Sequence, residues 1–245
     1  WGRDRIDARV ENPDENKIGN YIFDMDWQTR IASLHLEHKF TESLILYTGA
    51  SYTDFDYRTQ QANIDVFKSD NSIAGAINNY FSRIRDVNVK ASLQWRPGKV
   101  NLFRFGVNAI YHDFLSDANI SKTTQMPGKA RPDANAARVF ATEYNAFVED
   151  EISIGSHVKM SLGVHLGSYR LPQKWYWSIQ PRAAFNFIIT ENWSLKTSYA
   201  RMMQPMHMLS NFGIGLPTDL WVPATERFGP QLSHDVAAGI NAGYT

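Results

Sequence analysis

The sequence contains no cysteine, which excludes disulfide bonds, thiolate catalysis and cysteine-ligated zinc. It has no excess of either charge, because 25 lysine and arginine residues balance 25 aspartate and glutamate residues. Such a chain has no basic surface to recruit nucleic acid and no acidic run typical of a disordered tail. No stretch of about 18 consecutive apolar residues occurs, so no membrane-spanning helix is predicted. Aromatic residues, in contrast, make up 13% of the 245 positions, which is high for a soluble domain.

Several segments alternate between apolar and polar residues. In VNVKASLQW, residues 87–95, every odd-numbered residue is apolar and every even-numbered residue is polar. Side chains alternate across a β-strand, so this segment predicts a strand with one apolar and one polar face. Nine such segments occur, most of them about ten residues long, which is the length that a tilted strand needs to cross a bilayer. They are residues 32–40, 44–52, 87–95, 101–114, 140–148, 157–169, 175–189, 193–199 and 236–244.

The connections between these segments are sorted by length. Short polar turns are predicted at residues 41–43, 96–99, 153–157 and 190–193. Between them lie one short link near residues 171–175 and longer links at about 58–83, 115–137 and 203–231. Short turns at one end and long loops at the other are typical of outer-membrane barrels, in which the short turns face the periplasm. A soluble β-sandwich has no reason to sort its loops in this way.

The apolar face of these strands could lie against lipid or against a packed protein core. The positions of aromatic and charged residues decide between the two. On that face aromatic residues collect near the short turns and near the long loops, at Phe40, Trp95, Trp193, Tyr52, Tyr111, Tyr144 and Tyr199. Two such groups match the aromatic girdles at the two interfaces of a membrane. The opposite face carries charged and titratable residues at His35, Glu37, Lys90, Arg104, Glu143, Glu149, Lys159, Arg182 and Lys196. Those groups suit a wet lumen and would be costly in a dry core, so the sequence predicts an all-β, antiparallel, up-and-down transmembrane barrel segment.

Consecutive segments of the chain resemble a known family. RFGVNAIYHDF, ATEYNAFVEDEISI, VKMSLGVHLGSYRL and IQPRAAFNFIITENWSLKTSYARMMQPMHMLSN follow one another in the order seen in TonB-dependent outer-membrane receptors. The continuation GIGLPTDLWVPATERFGPQLSHDVAAGINAGY resembles the Bacteroidetes branch of that family. The resemblance covers about residues 27–245. It implies a 22-stranded barrel in the outer membrane of a Gram-negative bacterium, filled by an N-terminal plug domain.

The resemblance also sets expectations for the extent and function of the chain. No plug and no TonB-binding segment is recognisable, and nine strands are an odd number, so residues 1–245 are expected to be a middle-to-late part of the barrel. Residues 1–26 are expected to be an extracellular loop and the start of its descending strand. The implied function is TonB-dependent import of a bulky nutrient such as a siderophore, haem, cobalamin or a glycan. The implied partners are TonB, the plug and outer-membrane lipid, and a surface lipoprotein is a further candidate. A passive porin-like channel, an adhesin-type barrel and a soluble carbohydrate-binding β-sandwich are the alternatives.

The sequence offers no pattern for catalysis, for a metal or for a cofactor. His35 and His38, three apart in a strand, do not form a compact ligand set, and no nucleophile or phosphate-binding motif appears. The link at 203–231 is unusually apolar for a loop, with Gln204 and His207 as polar groups at its rim. We therefore expect ligand contacts from four residues, Gln204, His207, Trp221 and Trp175. Packing of the loop against itself or against the plug is the alternative for the first three residues, and a place in the aromatic girdle is the alternative for Trp175. Arg182 is expected to contact the plug, and contact with an anionic ligand is the alternative.

Overall fold

The computed structural model describes residues 1–123, 125, 137–209 and 220–243. Within these ranges the chain forms twelve β-strands. They are β1 (Gly2–Pro13), β2 (Lys17–Thr41), β3 (Leu44–Phe67), β4 (Ile73–Trp95), β5 (Asn101–Thr123), β6 (Ala137–Ile154), β7 (Val158–Arg170), β8 (Trp175–Ile188), β9 (Trp193–Gln204), β10 (Met206–Leu209), β11 (Leu220–Pro223) and β12 (Gln231–Ala242). In these ranges no helix is long and apolar enough to cross a membrane.

Ten of the strands form one antiparallel up-and-down sheet. Each strand from β1 to β8 pairs with the next in sequence, and β9 also pairs with β12. The short strands β10 and β11 pair only with each other and lie in the connection between β9 and β12. Within the described residues β1 and β12 pair on one side only, so the sheet has two open edges. The predicted all-β, antiparallel fold is confirmed.

The main sheet has ten strands, one more than the nine that alternation in the sequence indicates. All nine predicted segments are found, in β2 to β9 and in β12. The missed strand is β1, which pairs with β2 from Gly2↔Thr29 to Pro13↔Ile18. Residues 1–26, which were expected to be a loop and one descending strand, therefore form a hairpin. The apolar pattern of β1 is faint because arginine and aspartate occupy most of one face, so periodicity did not reveal it.

The strands extend into two of the predicted long links. β3 continues to Phe67 and β4 begins at Ile73, which leaves only residues 68–72 as a connection where residues 58–83 were predicted. β5 likewise continues to Thr123. At about 3.3 Å per residue, the 25 residues of β2 extend about 80 Å, far more than the ~25 Å apolar band of a barrel requires. Beyond the membrane no face of a strand has to meet lipid, and the buried cluster of Ile22, Ala62, Ile64 and Ile77 there is interrupted by polar residues, so the regular apolar alternation that reveals a strand in the sequence is lost.

The predicted short turns are present and lie at one end of the sheet. Hairpin turns join β2 to β3, β4 to β5, β6 to β7 and β8 to β9. The turn between β6 and β7 contains Gly155 at φ +58°, a left-handed conformation that glycine adopts without steric cost. At the opposite end, Asn71 holds φ +57° in the turn between β3 and β4. Asparagine is among the few other residues that tolerate this region.

The two faces of the sheet differ as the alternation predicts. The outward face carries large apolar side chains that the protein itself leaves open, with Leu34, Val107 and Ile179 at 63%, 58% and 60% exposure. Cross-strand pairs such as Leu93↔Phe105 and Phe105↔Val148 continue this apolar face from strand to strand. The other face, called the inner wall below, carries the polar residues between them. An exposed apolar band of this extent is the surface that a membrane covers.

Candidate functional site

A buried histidine between two carboxylates lies on the inner wall. Adjacent strands β4, β5 and β6 bring His112 to Asp86 and Glu143. Nδ1 of His112 is 2.7 Å from an Asp86 oxygen, and Nε2 is 3.0 Å from a Glu143 oxygen. The imidazole is only 4% exposed. Because ionised carboxylates only accept hydrogen bonds, this arrangement suits a doubly protonated, cationic ring that ties the three strands together.

A second polar cluster on the inner wall is centred on Glu149. One of its oxygens lies 3.0 Å from His165 Nε2 and 3.6 Å from Arg182 Nη1. The ring of His165 stacks on Phe147, with centroids 4.9 Å apart. Arg182, which was expected to face the plug, therefore lies on the inner wall and already has a partner there. Its Nε is buried and has no hydrogen-bond partner among the described residues.

Two glycines let side chains of neighbouring strands lie close against the backbone of the inner wall. A Cβ on Gly106 would lie 2.1 Å from Cε1 of Phe147, and one on Gly163 would lie 2.7 Å from Cγ of Glu149. Neither distance is possible for real atoms, so only glycine lets these neighbouring side chains lie flat against the strand. The aromatic ring and the carboxylate consequently rest on the wall itself and leave more of the lumen open.

The connection between β9 and β12 folds back over the extracellular end of the inner wall. Ala224 is fully buried in a cluster with Phe114, Tyr169 and Leu171, and Met203 and Met206 pack against this cluster. The hydroxyl of Tyr169 donates to the carbonyl of Ala224 at 3.3 Å, and that of Tyr176 donates to the carbonyl of Thr225 at 2.8 Å. We call residues 203–209 and 220–230, the described part of this connection, the mouth loop.

Two of the expected ligand residues lie within the mouth loop. The side-chain amide of Gln204 donates a hydrogen bond to the carbonyl of Met206 at 2.8 Å. This bond lies within the base of the mouth loop. His207 sits in the β10–β11 hairpin opposite Val222, and its Nε2 is buried without a hydrogen-bond partner among the described residues. Trp221 pairs through its backbone with Met208, while its side chain lies outside the described part of the chain. The apolar residues expected between positions 210 and 219 also lie outside it.

Trp175, the fourth expected ligand residue, lies apart from the other three. It is on the outward face, 45% exposed, and stacks on Tyr144 with centroids 6.4 Å apart. Its neighbour Tyr176 points to the mouth loop on the other face. The structure therefore brings Gln204 and His207 together in one loop and places Trp175 across the wall from them, in the position of the aromatic girdle.

The sheet is apolar outside and polar inside, with short turns at one end. Residues 2–240 match a family model described as "TonB dependent receptor-like, beta-barrel". The chain belongs to this family. TonB-dependent receptors are outer-membrane proteins of Gram-negative bacteria, so the chain is assigned to that membrane with its short turns on the periplasmic side. Among the described residues no group of three or more histidine, aspartate or glutamate side chains is arranged to hold a metal ion.

Solved structures of TonB-dependent receptors share the fold at low sequence identity. BauA, the ferric preacinetobactin receptor from Acinetobacter baumannii, is 11% identical with a TM-score of 0.59, and the match covers 98% of this chain and 44% of that one. A mutant of the ferric enterobactin receptor PfeA from Pseudomonas aeruginosa is 12% identical with a TM-score of 0.49, covering 99% and 48% of the two chains. The siderophore receptor PirA from A. baumannii is 11% identical with a TM-score of 0.49, covering 99% and 48%. The chain thus spans less than half the length of these receptors. No curated protein sequence matches it.

Proposed function

We propose that the chain is part of the barrel of a receptor that imports a bulky nutrient across the outer membrane with energy from TonB. The mouth loop carries this proposal. A long extracellular connection that folds inward over the lumen, rather than outward into solvent, is placed to meet a molecule entering from outside. Loops of this length are usually functional, and apolar surface at a mouth usually marks a ligand or partner.

The proposed ligand contacts are Gln204, His207 and Trp221 of the mouth loop. His207 supports this choice most strongly, because a buried ring nitrogen without a partner in the described structure is costly unless something else satisfies it. We propose a siderophore, haem, cobalamin or a glycan as the cargo. BauA, which has the same fold, is a receptor for ferric preacinetobactin, so ferric chelates are the first class to test.

We also propose that these strands belong to a larger barrel that contains a plug. The strands themselves are proposed to carry out no covalent chemistry. The open edges of β1 and β12 would leave backbone groups unpaired in hydrocarbon, which lipid does not tolerate. We therefore propose that further strands of the receptor close the barrel and that residues 1–245 form its middle-to-late part. The plug is proposed to occupy the lumen against the inner wall, where the side chain of Arg182 is 36% exposed. A surface lipoprotein docking on the mouth loop is the proposed alternative partner for that loop.

The test is made in the full-length receptor. Deleting residues 206–222 should abolish uptake of its cargo while membrane insertion is retained, and deleting the five-residue turn 68–72 serves as a matched control that leaves uptake intact. His207→Ala with Gln204→Ala should weaken binding by roughly tenfold or more, because two polar contacts of about 1 kcal/mol or more are lost. Calorimetry with a panel of ferric siderophores, haem and cobalamin measures this. Unchanged affinity would refute the ligand site, and uptake that persists without TonB would refute energised transport in favour of a passive channel.

A further inference from the structure

The buried histidine of the inner wall lies directly beneath the place where the mouth loop rests. The ring of His112 stacks on that of Phe114, with centroids 5.2 Å apart and planes inclined by 21°. Phe114 is 3% exposed and belongs to the buried cluster that also contains Ala224 of the mouth loop. Across the strand pair β5–β6, His112 lies opposite Ala141, another member of that cluster. His112 is therefore in contact with the layer of side chains that supports the loop.

The two carboxylate partners of His112 lie beside the same cluster. Glu143 pairs with Tyr169 in the register of β6 and β7, and the hydroxyl of the fully buried Tyr169 donates to the mouth loop. Asp86 lies two residues from Ile84 on the same face of β4, and Ile84 packs against the cluster. The histidine and its two carboxylates are called the clasp below. Each member of the clasp adjoins a residue that supports the loop.

The geometry of the clasp depends on the two ring nitrogens of His112. Each nitrogen serves a different carboxylate, Nδ1 that of Asp86 at 2.7 Å and Nε2 that of Glu143 at 3.0 Å. The side chains of Asp86 and Glu143 are only 28% and 18% exposed, so water reaches them poorly. A poorly hydrated carboxylate that loses its donor carries the cost of its desolvation without compensation. The imidazole therefore fixes the positions of both carboxylates.

We propose that His112 is a positioning residue for the mouth loop. Apolar packing has no preferred direction, whereas hydrogen bonds are directional. The clasp supplies the fixed geometry, and Phe114 and Tyr169 transmit it to the stem of the loop. In this role His112 acts through those two residues and does not touch the cargo. Because the loop carries the proposed ligand contacts, the inference deepens the proposed function and rests on it.

The variant His112→Gln removes one of the two donors of the clasp. A glutamine amide donates from its nitrogen and presents an oxygen on its other side, so only one of the two carboxylates keeps a donor. The other carboxylate turns toward water and displaces the neighbouring side chains of the cluster. We therefore expect the mouth loop to open more often, while the sheet below it keeps its backbone hydrogen bonds.

Hydrogen exchange of the full-length receptor in lipid nanodiscs measures this opening. The amide of Ala224 donates to the carbonyl of Pro205 at 2.8 Å or less, at 2.7 Å, and reports on the mouth loop. The amide of Phe67 donates to the carbonyl of Ser72 at 2.9 Å and reports on the turn at the far end of β3. In His112→Gln we expect roughly tenfold faster exchange at Ala224 and no change at Phe67.

His165→Gln is the matched control. His165 also bonds to a carboxylate, that of Glu149 at 3.0 Å, and it stacks on Phe147 with centroids 4.9 Å apart. Among the described residues it does not belong to the buried cluster beneath the mouth loop. Exchange at Ala224 in this control should equal that of the wild type.

The double variant His112→Gln/Glu143→Gln tests whether the hydrogen bonds of the clasp carry the effect. The new amide at position 143 donates to the oxygen of the glutamine at position 112, whose nitrogen donates to Asp86. Every donor then meets an acceptor again, so exchange at Ala224 should return close to the wild-type rate.

Three results would overturn the proposal. They are a wild-type rate at Ala224 in His112→Gln, equal acceleration at Ala224 and Phe67, and a double variant that exchanges as fast as the single one. If His112→Gln fails to insert, Asp86→Ala takes its place, because the ring then keeps Glu143. Measurably faster exchange at Ala224 is expected there, and an unchanged rate would refute the positioning role. No cargo is present in the assay, so the result is independent of the cargo proposed above.

Discussion

Replacing Val107 by arginine tests the assignment of the outward face to lipid. Val107 is midway between Phe103 and Tyr111, the two aromatic limits of the apolar band on β5. These limits are eight residues apart, which at about 3.3 Å per residue and a tilt of about 40° gives a band roughly 20 Å tall. Val107 therefore lies near the midplane, where an arginine costs ~2–4 kcal/mol in a barrel. Val107 is 58% exposed within the protein. If water instead of lipid covered it, the same substitution would cost no more than about 0.5 kcal/mol.

The assay is reversible unfolding of the full-length receptor by denaturant in lipid vesicles. Lys90→Arg is the matched control, because Lys90 pairs with Asn108 beside Val107 but faces the lumen with its charge already present. We expect Val107→Arg to lower the free energy of unfolding by ~2–4 kcal/mol and the control to leave it unchanged. A loss below about 0.5 kcal/mol for Val107→Arg would show that water covers this face and would refute the membrane assignment.

Three further outcomes are expected. Gly106→Ala should cost about 1–3 kcal/mol, because the added carbon would lie 2.1 Å from the ring of Phe147, and Phe147→Ala should remove most of that cost in a double-mutant cycle. Tyr176→Phe removes a 2.8 Å hydrogen bond to the mouth loop and should increase proteolysis of that loop, whereas the same change at a girdle tyrosine should not. The backbone N–H of Ser72 lowers the pKa of Asp70, so this bond should be intact above pH ~4 and lost as the pH falls through the lowered value. The hydrogen-exchange protection factor of Ser72 measures the change, and a protection factor that is constant down to pH ~2 would contradict the expectation.

The membrane-spanning parts of the fold could be predicted because the bilayer imposes a pattern on the sequence. Strands such as β4 alternate strictly where one face meets lipid, and the aromatic limits of the band lie where the girdles require them. The same physical reason explains what was missed. β1 and the outer halves of β2 to β5 lie beyond the membrane, where neither face has to be apolar and no alternation is imposed.

The candidate site was only partly predictable. Composition identified the mouth loop, because methionine and leucine are unusual in an extracellular connection, but not the inward fold that buries Ala224 beneath Tyr169. For Trp175 the sequence leaves two alternatives, a ligand contact or a place in the aromatic girdle. Sequence alone could not separate them, because an aromatic ring at the end of a strand suits either role.

The length of the strands beyond the girdle determines what can reach the receptor from outside the cell. From Tyr52 to Phe67, β3 rises 15 residues past the edge of the membrane, which corresponds to a height of about 40 Å for a strand tilted by about 40°. The hydrogen bonds of β3 to β2 and β4 continue over this distance, so it is a stiff wall rather than a set of loose loops. The turn at residues 68–72 is thereby held far above the aromatic band by paired strands. A large molecule that approaches from outside the cell therefore meets this turn before it meets the parts of β3 and β4 that lie nearer the membrane.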